Sequence, residues 1–439
     1  MAKENDFSKL NIGGVDLPIT DDDAQQRLAT LEAEIPAAAS PQNQLADKAF
    51  VTENIGDTNE RVSRLEQRGG KGSLPSVFTL EQSSSSLFTV SDNGAAREYV
   101  ENMGGYLFYV KSGQVYAAKL NPYNWGKFAD GATITANVRN KTETMIHVPD
   151  CYFKASGQTM RLGGMTPVEG GHKFGSPNWV GAYQMSAGGH SRPGAGSEHS
   201  KTMTAFHNLA KAIHQDFGLA NYGFHCLINA VYQAMYGNLN SESLLSNDNV
   251  RSSASWDAFR DLIHGKADVI GDGSGCVSAV DRANVTRFVT KLFGFEDLFG
   301  KLWEFRPGIR FYMDGDVRHA VVYDGNVVSN TAEGRDISGV LASASGQYVS
   351  AMQLGEYWDM FGKTISGSDT TFYCDGYWAS TGGELLIVGG YAIHGSLCGL
   401  SSARSNYAFG SSHDFIGARL AFYAEPEIVS GSELLAMLA

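Results

Sequence analysis

The chain is poor in the features that assign function most directly. None of its apolar runs approaches the ~20 residues that cross a bilayer as a helix, so a membrane-spanning helix is not expected. It has no basic run. With 34 Lys and Arg against 47 Asp and Glu, its formal net charge is −13. Nucleic-acid surfaces need clustered cations over phosphates, so this balance argues against a nucleic-acid partner and mainly favours solubility. The cysteines (Cys151, Cys226, Cys276, Cys374 and Cys398) are odd in number, widely spaced and contain no C-x-x-C. Free, mostly buried thiols in a reducing cytoplasm are expected, and neither a metal site nor a disulfide framework. H-E-x-x-H, G-x-S-x-G and Walker loops are absent, so no catalytic residue, metal or cofactor is assigned. The start, "MAKENDFSKL", lacks the apolar core of a secretory signal, so export by an ordinary signal peptide is not expected. Residues 1–70 contain no Trp or Tyr and only Phe7 and Phe50 as aromatics.

What is present describes a globular, loop-rich chain. The hydrophobic fraction is 43% and the charged fraction 18%, which allows a packed core. Gly is abundant, at 51 residues, and aromatics reach 11%. At 439 residues, two or three folded units are expected. In "ITDDDAQQRLATLEAEIP", Thr20 or Asp21 can cap a helix, acids fill its first turn, and Pro36 stops it. Ala24, Leu28, Leu31 and Ile35 form a narrow stripe suited to packing on copies of itself, and Ile55, Val62 and Leu65 repeat the theme. Residues 1–70 therefore read as a short oligomeric helical stalk, with a pair of surface helices as the alternative. Residues 71–145 read as a β-rich connector. "GGYLFYVKSGQVYAAKL" alternates and turns at Ser112–Gly113, and "ATITANVRN" reads as a further strand.

From 146 the order is strands, two helices, then a long tail of loops and strands, which argues α+β. Phe206, Leu209, Ile213 and Phe217 form the apolar face of the first helix. Leu227, Ile228, Val231 and Met235 form that of the second, which ends near Gly237. Within 265–425 the one helical candidate is 285–292. His207 and His214 flank an apolar stripe and read as helix-surface residues. "GDGSG" at 271–275 reads as a turn, and Asp314, Asp316 and Asp324 as hairpin-turn residues.

Residues 386–422, "LIVGGYAIHGSLCGLSSARSNYAFGSSHDFIGARLAF", begin and end as buried strand. Between the ends, large side chains of mixed chemistry follow no helical or strand period on a Gly, Ser and Ala framework. Gly389, Gly390, Gly395, Gly399 and Gly417 permit tight backbone paths. Tyr, Arg and His on such a framework suit recognition, because aromatic and Arg side chains supply most interface hot spots.

Read together, "GLANYGFHCLINAVYQAMYGNLNSESLL", "GFEDLFGKLWEF" and the closing "LIVGG…GSLCG…IGARLAF" resemble phage tail-fibre and receptor-binding proteins with a C-type-lectin fold of the formylglycine-generating-enzyme-like branch. The resemblance covers about 146–425 and leaves 426–439 as a tail. It implies a strand around Trp303 with Glu304 beside it, and a last core strand at "GARL". Within that branch the segment is similar to variable proteins of diversity-generating retroelements, in which such a segment carries the ligand contacts. Carried over, the ligand-binding candidates are Tyr391, Ile393, His394, Leu397, Arg404, Asn406, Tyr407, His413 and Phe415, with Leu400, Ser402 and Ser412 as weaker ones. "IGGVDLPITDDDAQQRLATLEAEI" and "NQLADKAFVTENI" resemble phage connector segments.

These resemblances imply a virion fibre protein, made in the bacterial host cytoplasm. It would be a homotrimer that contacts other virion proteins through its N-terminus and a host-cell surface receptor, protein or glycan, through its C-terminal face. A decoration subunit binding another virion protein is the alternative, and an enzyme on the same fold with a pocket near Trp303 and Glu304 a further one. Cys374 and Cys398 do not match the cysteine motif of formylglycine-generating enzymes, so oxidase activity is not implied. E-P-N, Q-P-D and W-N-D are absent, so calcium-mediated glycan binding is not implied either.

Overall fold

The computed structural model describes residues 9–12, 15–18, 74–80, 84–245, 256–353, 355–357 and 359–439. The chain divides into two compact units, Met1–Ser73 and Leu74–Ala439. In the first, Lys9–Ile12 pairs antiparallel with Val15–Pro18. The helices expected at 19–36 and 48–70, and with them the stalk, lie outside the described residues.

The second unit is α+β and rich in strand. Two sheets position the segment of interest. One is eight-stranded. Its main path runs Phe217–Leu219, Arg419–Phe422, Trp179–Gln184, Glu143–His147, Gly104–Lys111, Gln114–Asn121 and Glu427–Val429, with Asn124–Phe128 paired to Gln114–Asn121. The other is six-stranded: Ala344–Tyr348, Gly376–Ala379, Ala403–Tyr407, Leu385–Val388, Trp303–Phe305 and Ile416–Gly417. Facing side chains of both sheets share one core, in which Phe108, Trp179, Phe217 and Phe422 meet Trp303, Phe305, Ile387 and Leu385. Phe108 and Phe422 lie edge to face at 5.5 Å, a favoured aromatic geometry.

The eight-stranded sheet corrects the expected boundaries. It joins strands of the supposed connector (71–145) to strands of the supposed lectin-like region, and Glu427–Val429 of the supposed tail pairs parallel with Gln114–Asn121. Neither 145/146 nor 425/426 divides the unit. The tail is also packed. Ser430 and Glu433 form a capping box for helix Gly431–Leu438, and Leu434 is buried.

Local chemistry explains most elements. Ser112 (φ 52°) and Gly113 (φ 77°) form the tight turn between Gly104–Lys111 and Gln114–Asn121, the left-handed pair that matches strand twist. Thr202 caps helix Met203–Ile213 through Ala205 N, and Asn221 caps helix Tyr222–Tyr236 through Phe224 N. Gly237, at φ 58°, closes the second helix. Phe217, expected on the first helix, lies beyond its end in strand Phe217–Leu219.

Two expectations fail for stated reasons. Ala136–Lys141 is a helix and not part of a strand, because Thr135 caps it through Val138 N. Thr286–Leu292 is a strand and not a helix. Val285, Phe288, Val289 and Leu292 have helical spacing, but the β-branched run pairs with Gly275–Val280 instead. Asp281 Oδ1 fixes that turn by accepting from Ala283 N and Val285 N. Among the described residues, no helix is long and apolar enough to cross a membrane.

Candidate ligand-binding face

Strand Leu385–Val388 delivers the chain into the segment. It pairs antiparallel with Ala403–Tyr407 and with Trp303–Phe305. Gly389 (φ 94°) and Gly390 (φ 79°) turn it out of the sheet. Gly389 N donates to Ser402 O, and Gly389 O accepts from Gly300 N. A short 3-10 stretch, Ala392–Leu397, follows, kinked at Gly395. The chain then re-enters the sheet as Ala403–Tyr407, antiparallel to Leu385–Val388 and parallel to Gly376–Ala379. It returns once more as Ile416–Gly417, parallel to Trp303–Phe305, with Trp303 N donating to Phe415 O. The segment is therefore tied into one sheet at its start, middle and end.

Most expected site residues gather on one partly exposed patch. Tyr391, His394, Leu397, Arg404, Asn406, Tyr407, His413 and Phe415 are half-buried, and Ile393 and Ser412 are exposed. Their rings form a continuous cluster. Tyr391 stacks on Phe415 at 4.9 Å, Phe415 on His413 at 4.8 Å, and His413 meets Tyr407 at 5.0 Å. Tyr391 meets His394 edge to face at 4.4 Å. Such pairs hold their rings in place, so these large side chains are pre-organised.

Leu400 and Ser402 do not belong to this patch, which corrects their candidacy. They are 5% and 0% exposed. Leu400 O accepts from Asn229 Nδ2, and Leu400 N donates to Ser241 Oγ. Ser401 Oγ donates to Asn229 Oδ1. This stretch pins the segment to the buried helix Tyr222–Tyr236, so its small polar residues are framework. The expected lack of period also fails locally. Over Ala403–Tyr407 the small residues Ala403 and Ser405 are buried, whereas Arg404 and Asn406 are half-buried, the alternation of a strand with one partly open face.

Sequence reading missed Trp378. It sits on Gly376–Ala379, next to Ala403–Tyr407 in the sheet, and is 9% exposed. His394 stacks on it at 4.8 Å, and the Arg404 guanidinium lies 5.0 Å from its ring centre. Arg404 also lies over Tyr407 at 4.9 Å and Trp303 at 5.6 Å. Parallel pairing of distant strands leaves no local sequence signal, so Trp378 could be found only from the fold. Trp303 floors the same cluster. Glu304 beside it is wholly buried and bound by Arg419 and Arg306, so its carboxylate is a structural anion with no open face.

His394 is held as the neutral imidazole. Burial, helped by the Arg404 charge, pushes it down to about 4. An unfolded histidine titrates near about 6.5, so the unfolded chain takes up this proton first as pH falls. The stabilisation it carries is present above about pH 6.5 and is lost as pH falls toward about 4. The stability difference between about pH 7 and about pH 5 should therefore be smaller in His394→Phe than in the parent, measured by urea unfolding. Equal differences in the two proteins would contradict a neutral His394.

No family model matches the chain, and no curated protein matches it in sequence. Among solved structures it is similar to a chain described as Major Tropism Determinant U1 Variant, at 14% identity and a TM-score of 0.27, covering 73% of this chain and 72% of that one. A likeness that remote assigns neither fold nor function.

Proposed function

We propose that the patch built by Tyr391, His394, Arg404, Tyr407, His413 and Phe415 is the receptor-contacting face of a phage fibre protein. What carries the reading is the packing of aromatic, His and Arg side chains, half-exposed and mutually stacked, on a segment anchored in one sheet. Aromatic and Arg groups in such a setting supply most of the binding energy of protein interfaces, and a rigid frame keeps the ordering cost of binding low. The sequence resemblance supplies the setting: a C-type-lectin-like fold of the formylglycine-generating-enzyme-like branch, on a virion. Residues 1–70 would assemble a homotrimer and join it to other virion proteins. Such a protein binds and does no chemistry.

The test is adsorption of whole particles to host cells. Particles carrying Tyr391→Ala, His394→Ala, Tyr407→Ala and Phe415→Ala together should adsorb about a hundredfold less, since individual hot spots contribute about 2 kcal/mol or more. Circular dichroism and the melting transition of the isolated variant verify that the fold persists. Unchanged adsorption by assembled particles with the variant folded would overturn the reading.

A further inference from the structure

The patch holds a cation that no anion pairs: Asp414, the acid between His413 and Phe415, pairs with Arg260 instead. Among the described residues, Arg404 makes no ion pair and no hydrogen bond to a carboxylate, amide or hydroxyl. Its contacts are the faces of Trp303, Trp378 and Tyr407. This goes against the composition, in which acids outnumber bases 47 to 34. It also contrasts with the wholly buried guanidiniums, each of which has a polar partner in the chain. Arg419 and Arg306 hold Glu304, Arg287 holds Asp281, and Arg318, without an acid, donates to Ser405 Oγ and to the carbonyls of Leu341, Gly383 and Ser405. The neighbourhood repeats the pattern. Arg404 Nε, His394 Nδ1, Trp303 Nε1 and Asn406 Oδ1 are all buried atoms without a hydrogen-bond partner in the chain. Each unpaired buried polar atom costs about 1–3 kcal/mol, and a charged one more. Such atoms seldom collect in one place in a folded protein unless something outside completes them.

We infer that this face takes a carboxylate of its partner onto the Arg404 guanidinium, and that the partner is a protein surface presenting Asp or Glu among apolar side chains. The inference rests on the reading of this patch as a binding face. A planar guanidinium recognises a carboxylate through two parallel bonds, a match that a lysine does not reproduce. The three aromatic faces hold the plane of Arg404 in place, so little freedom is lost on pairing. His394 and Asn406, the latter on the same strand face two residues on, border the site. The surroundings decide between protein and saccharide. Ile393, 38% exposed, and half-buried Leu397, Tyr391 and Phe415 offer apolar surface. Apolar groups of a protein partner can bury that surface, whereas hydroxyl-rich saccharides would leave it poorly matched.

The experiment is a selection of yeast-displayed random dodecapeptides on the immobilised full chain, run beside an array of glucuronate-, sialate- and neutral-terminated glycans. Enriched peptides should carry Asp or Glu beside apolar residues. Changing that acid to Asn or Gln should weaken binding about tenfold or more, and Arg404→Gln should remove the difference between acid and amide peptides. Arg404→Lys, which keeps the charge but not the fork, should restore only part of it. An unchanged melting transition in both variants separates loss of recognition from loss of fold. Enriched peptides without an acid, an acid preference that survives Arg404→Gln, binding of acidic glycans alone, or no selectable binder would each overturn the inference. The first two outcomes leave the patch a binding face. Failure of the adsorption test would remove that reading as well.

Discussion

Arg419→Ala should cost about 3–5 kcal/mol of folding stability, a large fraction of the roughly 5–15 kcal/mol that holds a domain folded. Arg419 is wholly buried and every donor it has is used. Nε and Nη2 bind the Glu304 carboxylate, the latter at 2.7 Å. Nη1 donates to Gly181 O and Ala182 O, and Nη2 also to Glu296 O and Asp297 O. Arg419 lies on the eight-stranded sheet and Glu304 on the six-stranded one, so the pair fastens the two sheets across their common core. Burial alone would raise the Glu304 carboxyl above its usual range, but the Arg419 and Arg306 guanidiniums outweigh burial and hold it below that range. Removing Arg419 leaves this carboxylate with Arg306 alone and strips four carbonyls of their donor. Chemical denaturation of the folded variant measures the loss. Arg419→Met combined with Glu304→Gln should lose less than the sum of the two single changes, since the pair acts as a unit. A loss below about 1 kcal/mol for Arg419→Ala would show that the pair does not hold the sheets together.

How far such features can be read from sequence depends on how local their causes are. The Ser112–Gly113 turn, the two helices and the Gly237 stop were legible because turn residues and caps act within a few positions. The ends of the 386–422 stretch were legible as strand because they are mostly apolar, broken at the closing end by Arg419. Strand 286–292 was not, because Phe288, Val289 and Leu292 fit a helical spacing while the deciding partner, Gly275–Val280, is set by the Asp281 turn. Leu400 and Ser402 became weaker candidates only because the resemblance carries the whole 391–415 segment over. Their surroundings are set by residues far away in sequence: Asn229 reaches Leu400 O and Ser401 Oγ from a buried helix, and Ser402 Oγ donates to Gly376 O. Trp378 and Arg404 likewise meet only because two distant strands run parallel side by side. The sequence lists the side chains that the segment offers, but the ring cluster that joins them was visible only in three dimensions.

Adjacent residues of this segment should differ severalfold in what the same substitution costs. Gly389→Ala and Gly390→Ala should each cost about 2–5 kcal/mol. Their backbones sit at φ 94° and 79°, where an L side chain is strained by about 1–2 kcal/mol. A Cβ on Gly389 would come within 2.7 Å of Leu298 O, and one on Gly390 within 2.6 Å of Cys398 Sγ and 3.0 Å of its Cα. Backbone on one side and a buried residue on the other leave little room to yield, which adds about 1–3 kcal/mol of overpacking. Tyr391→Ala, one position further on, should cost only about 1 kcal/mol, because the ring is half-buried and its stacking on Phe415 is worth about that much. The binding consequences arise differently. Tyr391→Ala removes a ring of the contact patch from a protein that remains folded. The glycine variants, wherever they fold, present every contact side chain on a distorted path. Denaturation midpoints for Gly389→Ala, Gly390→Ala and Tyr391→Ala on the full chain measure the contrast. A Tyr391→Ala loss as large as either glycine's would mean that the ring is core and not part of an exchangeable surface.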